Sequence, residues 1–384
     1  MKLHFTAAEA SGDLLARETM EAIRERDPDV EFVGIGGVEM AKLGIVSPID
    51  ISPLSIVGLF DGLKVYGTVL ELADAAADHI IEARPDAAVL VDSWGFCVRV
   101  GERVRARAPD IRLVKLVGPQ IWATRPGRAR ILAKTFDQVL CIHAMELPFY
   151  EGLDIEASTI SVPAFSRGSP GDKTAFCREN GLDPEKPILL VLPGSRGSEL
   201  RRVAPALMKA AELAIKRVPG LQVVVMPAEP IWNGFQIAFP HAAQNMTVLE
   251  PGRSSNDAMA AANYALACSG TVTSELALQG TPMLAAYKLG WMTWLAAKYV
   301  LYKHKHITLM NIAAGDTEIV PEFVQADMKP DAMADVAVKM LQDPAARDAQ
   351  TEAQHAALRA MGHGERPAAD RAAIAIIEGI LKSA

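Results

Sequence analysis

The sequence predicts an α/β fold with two parallel β-sheets, and three observations support this prediction. In the first half of the 384 residues, short apolar runs alternate with segments of helical periodicity, a pattern typical of a parallel sheet covered by helices. Residues 166–173 (SRGSPGDK) are rich in Ser, Gly and Pro, as expected of a linker. The same alternation then starts again, which indicates a second sheet.

The predicted strands and helices follow one another in both halves of the chain. The strands are expected at Leu3–Ala7, Glu31–Ile35, Ala87–Val91, Ile111–Val117, Gln138–Ile142, Ile188–Leu192, Leu221–Met226, Thr247–Leu249, Tyr264–Ala267 and Met283–Tyr287, and the helices at Asp13–Arg26, Val69–Arg84, Val98–Ala108, Ser198–Arg217, Ser255–Ala262 and Thr271–Gln279. We therefore expect one domain over 1–165, a second over 166–345, and C-terminal helices over 346–384 that could pack back on the first. Two such domains imply a cleft, with ligands beyond the carboxyl ends of the strands.

Composition and charge disfavour several classes of protein. The formal net charge of −7 argues against a nucleic-acid-binding protein, which usually carries a basic face. The four cysteines form no CxxC pair and fit a reducing compartment, and no His/Cys group has metal-ligand spacing. The apolar run Leu289–Ala297 is far shorter than the ~20 residues of a spanning helix, and no secretory segment is evident. We therefore expect a cytoplasmic protein, dissolved or peripheral to a membrane, without a metal or cofactor.

The first candidate loop is Ala8–Asp13, directly after the first predicted strand. Its small residues, Ser11 and Gly12 among them, would let a ligand approach the backbone at a helix start, where free N–H groups favour an anion. An ordinary helix start with Ser11 or Asp13 as N-cap is an equal alternative.

The second candidate loop is Leu192–Glu199, after the first strand of the second half. Gly194, Ser195, Arg196 and Ser198 suit a diphosphate, because the arginine can form charge-assisted hydrogen bonds with phosphate oxygens. The GxxxxGK[ST] pattern of a Walker A loop is absent. The alternative is a capped turn with a solvated arginine.

The third candidate loop is Cys268–Glu275, which follows the Tyr264–Ala267 strand. Ser269, Gly270 and Thr271 again offer small donors at a helix start, and the Glu275 carboxylate could accept two ribose hydroxyls. A carboxylate that only stabilises the helix start is the alternative. Two loops of this kind in one domain indicate a nucleotide diphosphate.

Two other patterns are weaker than they look. Gly34–Gly37 lacks the third glycine of GxGxxG, so an NAD site is poorly supported. Asp27-Pro28-Asp29 is formally a DxD metal-binding pattern, but its proline after a helical run predicts a surface turn.

Taken in order, these loops resemble the motif series of the lipid-A-disaccharide synthases over residues 1 to about 325. The matching segments are Glu9–Asp13 (EASGD), Gly34–Gly37 (GIGG), Leu54–Leu59 (LSIVGL), Pro119–Ala123 (PQIWA), Arg125–Arg128 (RPGR), Leu192–Glu199 (LPGSRGSE), Ser269–Thr271 with Glu275, and Asn311 within Leu309–Ile312. The combination is specific, although no single motif is.

The resemblance implies a GT-B fold, with two Rossmann-like domains whose parallel sheets face a central cleft. It also implies metal-independent, inverting transfer from UDP-linked 2,3-diacylglucosamine to 2,3-diacylglucosamine 1-phosphate, giving the β-1,6 lipid A disaccharide and UDP. The second half would bind UDP, with Asn311 among the substrate-binding residues, and the first half would bind the acyl groups and the acceptor.

The sequence departs from the family in the acceptor half. Where the family has Ile-Asp-x-Pro-Asp-Phe, this chain has Val91–Phe96, with Gly95 at the second aspartate; Ser161–Ala164 and Ala144–Glu146 replace Val-Gly-His-Pro and Pro-Phe-Glu. Because glycine cannot take a proton, another group must be the catalytic base. Asp92, at the end of the Ala87–Val91 strand, is the first candidate, and Glu9, at the end of the neighbouring first strand, is the second. The acceptor phosphate or water is the remaining alternative. Each could instead be structural: Asp92 could cap a helix and Glu9 could orient a backbone amide.

Two alternatives to the synthase itself stay open, together with the place of the protein at the membrane. The alternatives are a related glycosyltransferase with another lipid acceptor and a non-catalytic paralogue that binds UDP-sugar or lipid.

Contact with the inner membrane is expected because aromatic residues and lysines interleave, and the Leu-rich turns around Leu54–Leu63 could add an acyl-binding face. The interleaved residues are Trp291, Trp294, Tyr299 and Tyr302 with Lys288, Lys298, Lys303 and Lys305. Core packing of these aromatics is the alternative, and the oligomeric state stays open, with a homodimer among the options.

Overall fold

The computed structural model describes residues 1–51, 62–121, 126–252, 255–289 and 305–383. These residues form two compact units. The first unit combines Met1–Ser166 with Gly364–Ala384, and the second is Arg167–His363. The first unit is therefore discontinuous in sequence, whereas the second is continuous.

Each unit contains a six-stranded sheet in which all the strand pairs are parallel. The first sheet has the order β2-β1-β3-β4-β5-β6 and the second the order β12-β11-β10-β7-β8-β9. The strands are β1 Lys2–Ala7, β2 Glu31–Ile35, β3 Ala87–Val91, β4 Arg112–Leu116, β5 Gln138–Cys141, β6 Glu156–Thr159, β7 Ile188–Leu192, β8 Gln222–Val225, β9 Thr247–Val248, β10 Tyr264–Cys268, β11 Met283–Tyr287 and β12 Glu322–Val324. This confirms the α/β fold with two parallel sheets.

Helices connect the strands, and each of the six predicted helix ranges overlaps at least one observed α-helix. They are α1 Ala10–Arg26, α2 Val38–Ala41, α3 Gly62–Ala83, α4 Trp94–Arg107, α5 Arg128–Thr135, α6 Lys173–Asn180, α7 Gly197–Arg202, α8 Ala204–Arg217, α9 Trp232–Ala238, α10 Ser255–Ala261, α11 Val272–Leu278, α12 Leu309–Ala313, α13 Pro330–Gln342, α14 Pro344–Ala360 and α15 Ala368–Ser383. Short 3-10 turns lie at Ala144–Phe149, Pro163–Ser166, Glu229–Ile231, Ala242–Gln244 and Gln325–Asp327.

The core of the first unit lies on both faces of its sheet. Residues of α1 and α15 pack on one face, and residues of α3, α4 and α5 pack on the other. Strand β3, with the sequence AAVLV, is fully buried because both of its faces are covered. In the second unit, α8 and α13 pack together against the sheet.

The two C-terminal helices belong to different units. In the second unit, two glutamines of α14 donate to backbone carbonyls at β11 and just before it: Gln350 Nε2 to Met283 O at 2.6 Å and Gln354 Nε2 to Thr281 O at 3.1 Å. In the first unit, Arg371 of α15 donates to the Thr159 hydroxyl at the end of β6 at 2.9 Å. Only α15 therefore completes the first unit.

Candidate functional site

In the second sheet, β7 lies between β8 and β10. Strands β8 and β9 follow on one side of β7 and strands β10 to β12 on the other, so the topological switch point lies between β7 and β10. This is the strand order expected of a Rossmann fold, in which ligands bind where the loops after the two central strands diverge. A cavity of about 430 Å³ lies at this point. Loops that follow β7, β8, β9 and β10 line it, and the candidate residues among them are Gly194, Ser195, Arg196, Ser269, Gly270, Thr271 and Glu275.

Glu199 organises the loop after β7. Its carboxylate accepts the backbone N–H groups of Ser195 and Arg196 at 2.8 and 3.2 Å. Gly194 has a φ of +110°, and a Cβ there would lie 2.6 Å from Glu199 Oε2, so only glycine fits. The two amides are therefore used inside the protein, and the loop offers its side chains to a ligand.

Arg196 is the cation among the described residues that line this cavity. Its Nη1 lies 3.2 Å from Glu199 Oε1, yet its side chain stays 74% exposed. An ion pair that is this exposed on one side contributes little stability. It does orient the guanidinium, which can bind a phosphate oxygen with its remaining N–H groups.

The loop after β10 presents polar groups to the same cavity. The Thr273 hydroxyl donates to Gly270 O at 2.8 Å, and Ser269 N donates to Ala286 O at 2.9 Å, which fixes the backbone. The Glu275 carboxyl has no hydrogen-bond partner among the described residues, and burial raises its pKa above the usual value. A half-buried acceptor without a partner is suited to bind hydroxyl groups of a ligand.

Two predicted substrate-binding residues of the second unit do not line the cavity. Ser198 is half-buried within α7. Asn311 is 0% exposed, and its side chain accepts from Ile319 N and Val320 N and donates to Glu322 Oε1, with distances of 2.8, 2.8 and 2.9 Å. Asn311 thus holds the segment before β12 in place and does not reach the cavity.

Sequence reasoning missed the part of the cavity that follows β8 and β9. Glu229 follows β8, and Glu250 and Pro251 follow β9, and all three line the cavity. The rule that ligands bind at the carboxyl ends of strands would have included these loops. The loop after β8 carries no Gly/Ser cluster. The loop after β9 does carry one, with Gly252 and Ser255 in the lining of the cavity, and it was overlooked.

In the first sheet, β1 lies between β2 and β3, and the loops after β1 and β3 meet. The Cβ of Asp92 lies 3.6 Å from the position a Cβ would take on Gly12. Glu9 and Ser11 are exposed beside them. The structure therefore brings together the two base candidates, Asp92 and Glu9, at the carboxyl edge of this sheet.

Asp92 has an unusual backbone and an unpaired side chain. Its φ is +49°, and that of Ser93 is +34°, both in the left-handed region. Helix α4 begins at Trp94 with Ser93 as its N-cap and no side-chain cap, so Asp92 does not cap the helix. Within the described residues, the Asp92 carboxylate makes neither a hydrogen bond nor an ion pair, which leaves it available to a ligand.

Asp13 has a structural role that the sequence did not indicate. The N-cap of α1 is Glu9, so the alternative that Ser11 or Asp13 caps this helix is wrong. The buried Asp13 carboxylate instead accepts Gly37 N and Glu39 N, both at 2.8 Å. A Cβ on Gly37 would lie 2.8 Å from Asp13 Oδ2, which explains why glycine stands there.

Gly95 lies exposed in the first turn of α4. A Cβ there would meet only the Arg99 guanidinium, at 3.8 Å. The aspartate that the family motif has at this position would therefore fit without a clash. Lack of space therefore does not explain why this chain has glycine here. The replacement removes a carboxylate from the site.

The family model described as lipid-A-disaccharide synthetase matches residues 3–377. The chain belongs to the lipid-A-disaccharide synthase family. The lipid-A-disaccharide synthase of Rhodospirillum centenum is 36% identical over 386 residues, covering 98% of this chain and 94% of that protein. The lipid-A-disaccharide synthase of Paramagnetospirillum magneticum is 34% identical over 384 residues, covering 99% and 98%. Members of the lipid-A-disaccharide synthase family are hexosyltransferases, and this confirms the resemblance and the class of enzyme.

Solved structures confirm the GT-B fold. A glycosyltransferase from Rickettsia africae aligns with a TM-score of 0.58 and 12% identity, covering 100% of this chain and 99% of that chain. The UDP-GlcNAc 2-epimerase from Neisseria meningitidis, bound to UDP-GlcNAc, aligns with a TM-score of 0.60 and 12% identity, covering 100% of both chains. At this identity the likeness shows the shared fold.

Several predictions fall on residues that the structure does not describe. Most of Leu54–Leu63, the motif residues Trp122–Arg125, and all four interleaved aromatics, Trp291, Trp294, Tyr299 and Tyr302, lie outside the described residues. Among the residues that the structure does describe, none of the helices combines the length and apolarity that crossing a bilayer requires.

Proposed function

We propose that the chain transfers diacylglucosamine from UDP-linked 2,3-diacylglucosamine to 2,3-diacylglucosamine 1-phosphate, with inversion, to give the β-1,6 lipid A disaccharide and UDP. The observation that carries the proposal is the cavity between the loops after β7 and β10, in a chain of the lipid-A-disaccharide synthase family. Its volume of about 430 Å³ lies within the usual range for ligand pockets.

The second unit binds UDP in this proposal. Arg196 binds the diphosphate, the segment Ser269–Thr271 contacts it with small polar groups, and Glu275 accepts hydroxyls of the ribose. The exposed guanidinium and the unpaired carboxyl support this assignment. The epimerase from Neisseria meningitidis, which has the same fold, is bound to UDP-GlcNAc.

The first unit binds the acceptor, and Asp92 takes its proton. The acceptor hydroxyl attacks the anomeric carbon of the donor, the new C–O bond forms, and the bond to the β-phosphate oxygen breaks with its electron pair on UDP. The proton of the hydroxyl passes to the Asp92 carboxylate, and Arg196 stabilises the charge on the leaving diphosphate. Glu9 is the second candidate for the base. Ser11 and Gly12, which lie near Glu9 in the same loop, contact the acceptor in this proposal.

The test is incubation of the purified protein with both substrates, followed by mass analysis of the products. Formation of UDP and of the disaccharide supports the proposal. UDP formed with a different lipid acceptor only would favour a related glycosyltransferase. UDP binding without any product would favour a non-catalytic binding protein.

We also propose that the protein acts at the surface of the inner membrane, because both proposed substrates carry acyl chains and lysines interleave with aromatics between Lys288 and Lys305. The parent protein should float with anionic vesicles. Lys303→Glu with Lys305→Glu should reduce flotation, whereas Lys209→Glu with Lys216→Glu on α8, which makes the same charge change, should not. Equal flotation of both double variants would contradict the proposal that the segment between Lys288 and Lys305 contacts the membrane.

A further inference from the structure

Lys115 is a lysine inside the first sheet. Its side chain is 1% exposed. Its ammonium donates to four backbone carbonyls at the carboxyl ends of β3 and β4: Asp92 O at 2.5 Å, Val117 O at 2.9 Å, Leu116 O at 3.3 Å and Leu90 O at 3.4 Å. Among the described residues, no carboxylate lies within ion-pair distance of it.

The backbone that this ammonium binds has unusual conformations. The φ angles of Asp92 and Ser93 are +49° and +34°, and that of Val117 is +67°. Such angles are unfavourable for residues other than glycine, and most of all for a β-branched valine, so surrounding interactions must hold them. Lys115 donates hydrogen bonds to the carbonyl oxygens of Asp92 and Val117. It therefore contacts both segments of unusual backbone, the turn after β3 and the turn after β4.

Packing alone does not account for a lysine at this position. A buried ammonium loses its hydration, so it costs free energy relative to an apolar side chain of similar length. An apolar side chain, however, could not bind carbonyl oxygens that converge from two strand ends. What Lys115 adds is therefore a link between the turn at Asp92 and the turn at Val117.

The charge of Lys115 also acts on the acidic groups around it. Burial lowers the pKa of the Lys115 ammonium, and nearby acidic groups oppose that shift. These groups are Cys97 on α4, Asp92 after β3, Cys141 on β5 and Glu9 after β1. The ammonium thus lies within electrostatic reach of both candidates for the catalytic base.

We propose that Lys115 is a positioning residue for the transfer reaction, which holds the turn at Asp92 so that its carboxylate is placed to take the proton of the acceptor. The proposal rests on the proposed function and on Asp92 as the base. Lys115 touches neither substrate, and it gives or takes no proton in the reaction. Its effect passes through the backbone of Asp92.

The first test compares Lys115→Gln, Lys115→Met and the control Lys134→Met. Gln keeps N–H donors without the charge, Met keeps the length without donors, and Lys134 is an exposed lysine on α5 of the same unit. Both Lys115 variants should lower kcat by about 10- to 100-fold, the size of effect that a misplacement near 1 Å produces. UDP affinity and the donor KM should stay within about twofold, as should all constants of Lys134→Met. If Lys115→Met does not fold, Lys115→Gln carries the test.

The second test separates positioning from a general structural role. If Lys115 acts through Asp92, then Lys115→Gln in the Asp92→Asn background should lower kcat by less than about threefold further, because the two residues act as a unit. Equal losses in both backgrounds would overturn the proposal, and so would a parent-like kcat in Asp92→Asn or in Lys115→Gln. A parent protein that forms no disaccharide would instead refute the proposed function, and this inference with it.

Discussion

Arg196 and Glu199 share an ion pair, but they face different surroundings. The Glu199 side chain is buried and accepts backbone N–H groups, whereas the Arg196 side chain is largely exposed in the cavity. Loss of Glu199 would therefore disturb the loop itself. Loss of the Arg196 side chain would remove the guanidinium from the cavity and leave the backbone hydrogen bonds of the loop intact.

We predict that Arg196→Ala lowers UDP affinity about 10- to 100-fold, which corresponds to the ~1.5–3 kcal/mol of a charged hydrogen bond. Thermal stability should change little, because an exposed ion pair contributes little. Isothermal titration calorimetry measures the first effect. Arg202→Ala, an exposed arginine on α7 that does not line the cavity, is the matched control. Unchanged UDP affinity in Arg196→Ala would show that the assignment is wrong.

Asp92 lies at the carboxyl end of β3, and its carboxylate has no hydrogen-bond or ion-pair partner among the residues that the structure describes. We predict that Asp92→Asn lowers turnover by about 10²- to 10⁴-fold, the usual cost of losing a general base. UDP affinity should stay nearly constant, since the proposed UDP site lies in the second unit. Single-turnover kinetics and calorimetry measure the two quantities.

Glu9→Gln and Gly95→Asp complete this comparison. A loss below tenfold in Asp92→Asn, together with a large loss in Glu9→Gln, would assign the base to Glu9. An aspartate fits at Gly95, where a Cβ meets only Arg99 at 3.8 Å. If the parent makes no disaccharide and Gly95→Asp does, the chain has lost the transfer activity and the non-catalytic alternative replaces the enzyme.

At the scale of elements, Asp13 joins α1 to α2. Its carboxylate accepts three N–H groups at the start of α2, those of Gly37, Glu39 and Met40, and is itself buried. We predict that Asp13→Ala lowers the free energy of unfolding by about 1–3 kcal/mol, because buried donors lose their acceptor. Urea denaturation measures this, with the exposed Asp29→Ala as control. If Asp13→Ala and Asp29→Ala lower the free energy of unfolding equally, water replaces the Asp13 carboxylate as acceptor without loss of stability.

The strands show where sequence patterns are sufficient. Five consecutive apolar residues predicted β3 and β7 with their correct ends, since both faces of these strands are buried. The edge strands β6 and β12 were not predicted, because they are short and only partly buried, so they carry no apolar run. The range Ser198–Arg217 proved to be two helices that meet at Val203, where Pro205 lies in the first turn of α8.

The site was predictable where small residues and charge coincide in one loop. The loops with Arg196 and with Glu275 were found in this way. Glu229 was missed, because its place in the cavity depends on which loops meet in space. The loop of Glu250 has the sequence EPGRSS, in which small residues and charge also coincide, and it was overlooked. Asn311 was assigned to substrate from its motif, although its partners lie 8 to 11 residues further along the chain. A single motif cannot reveal such partners.

At the scale of the whole molecule, the first unit depends on a distant segment. Helix α15 buries Ala372, Ala373 and Ile376 completely against the first sheet and α1. Arg371 and Gln138 add hydrogen bonds between this helix and the sheet. Residues 1–166 alone therefore lack part of their core.

We predict that deletion of residues 364–384 destabilises the first unit selectively. Loss of this apolar burial costs about 3 kcal/mol or more, which lowers the first unit's unfolding transition by about 6–12 °C or abolishes it. UDP affinity should stay within about twofold of the parent, because the second unit is continuous. Scanning calorimetry with and without UDP measures both effects. A parent-like transition of the first unit would contradict this prediction.

The discontinuity of the first unit also sets an order during translation. Domains usually fold as units while the chain emerges from the ribosome. Here Arg167–His363 emerges in full before Gly364–Ala384, although it lies second in the sequence. The second unit can thus fold first, while the face of the first sheet that α15 later covers stays apolar and exposed. Until α15 has been synthesised, chaperones can bind this exposed apolar face of the nascent chain. A ribosome that stalls before residue 368 leaves the face exposed.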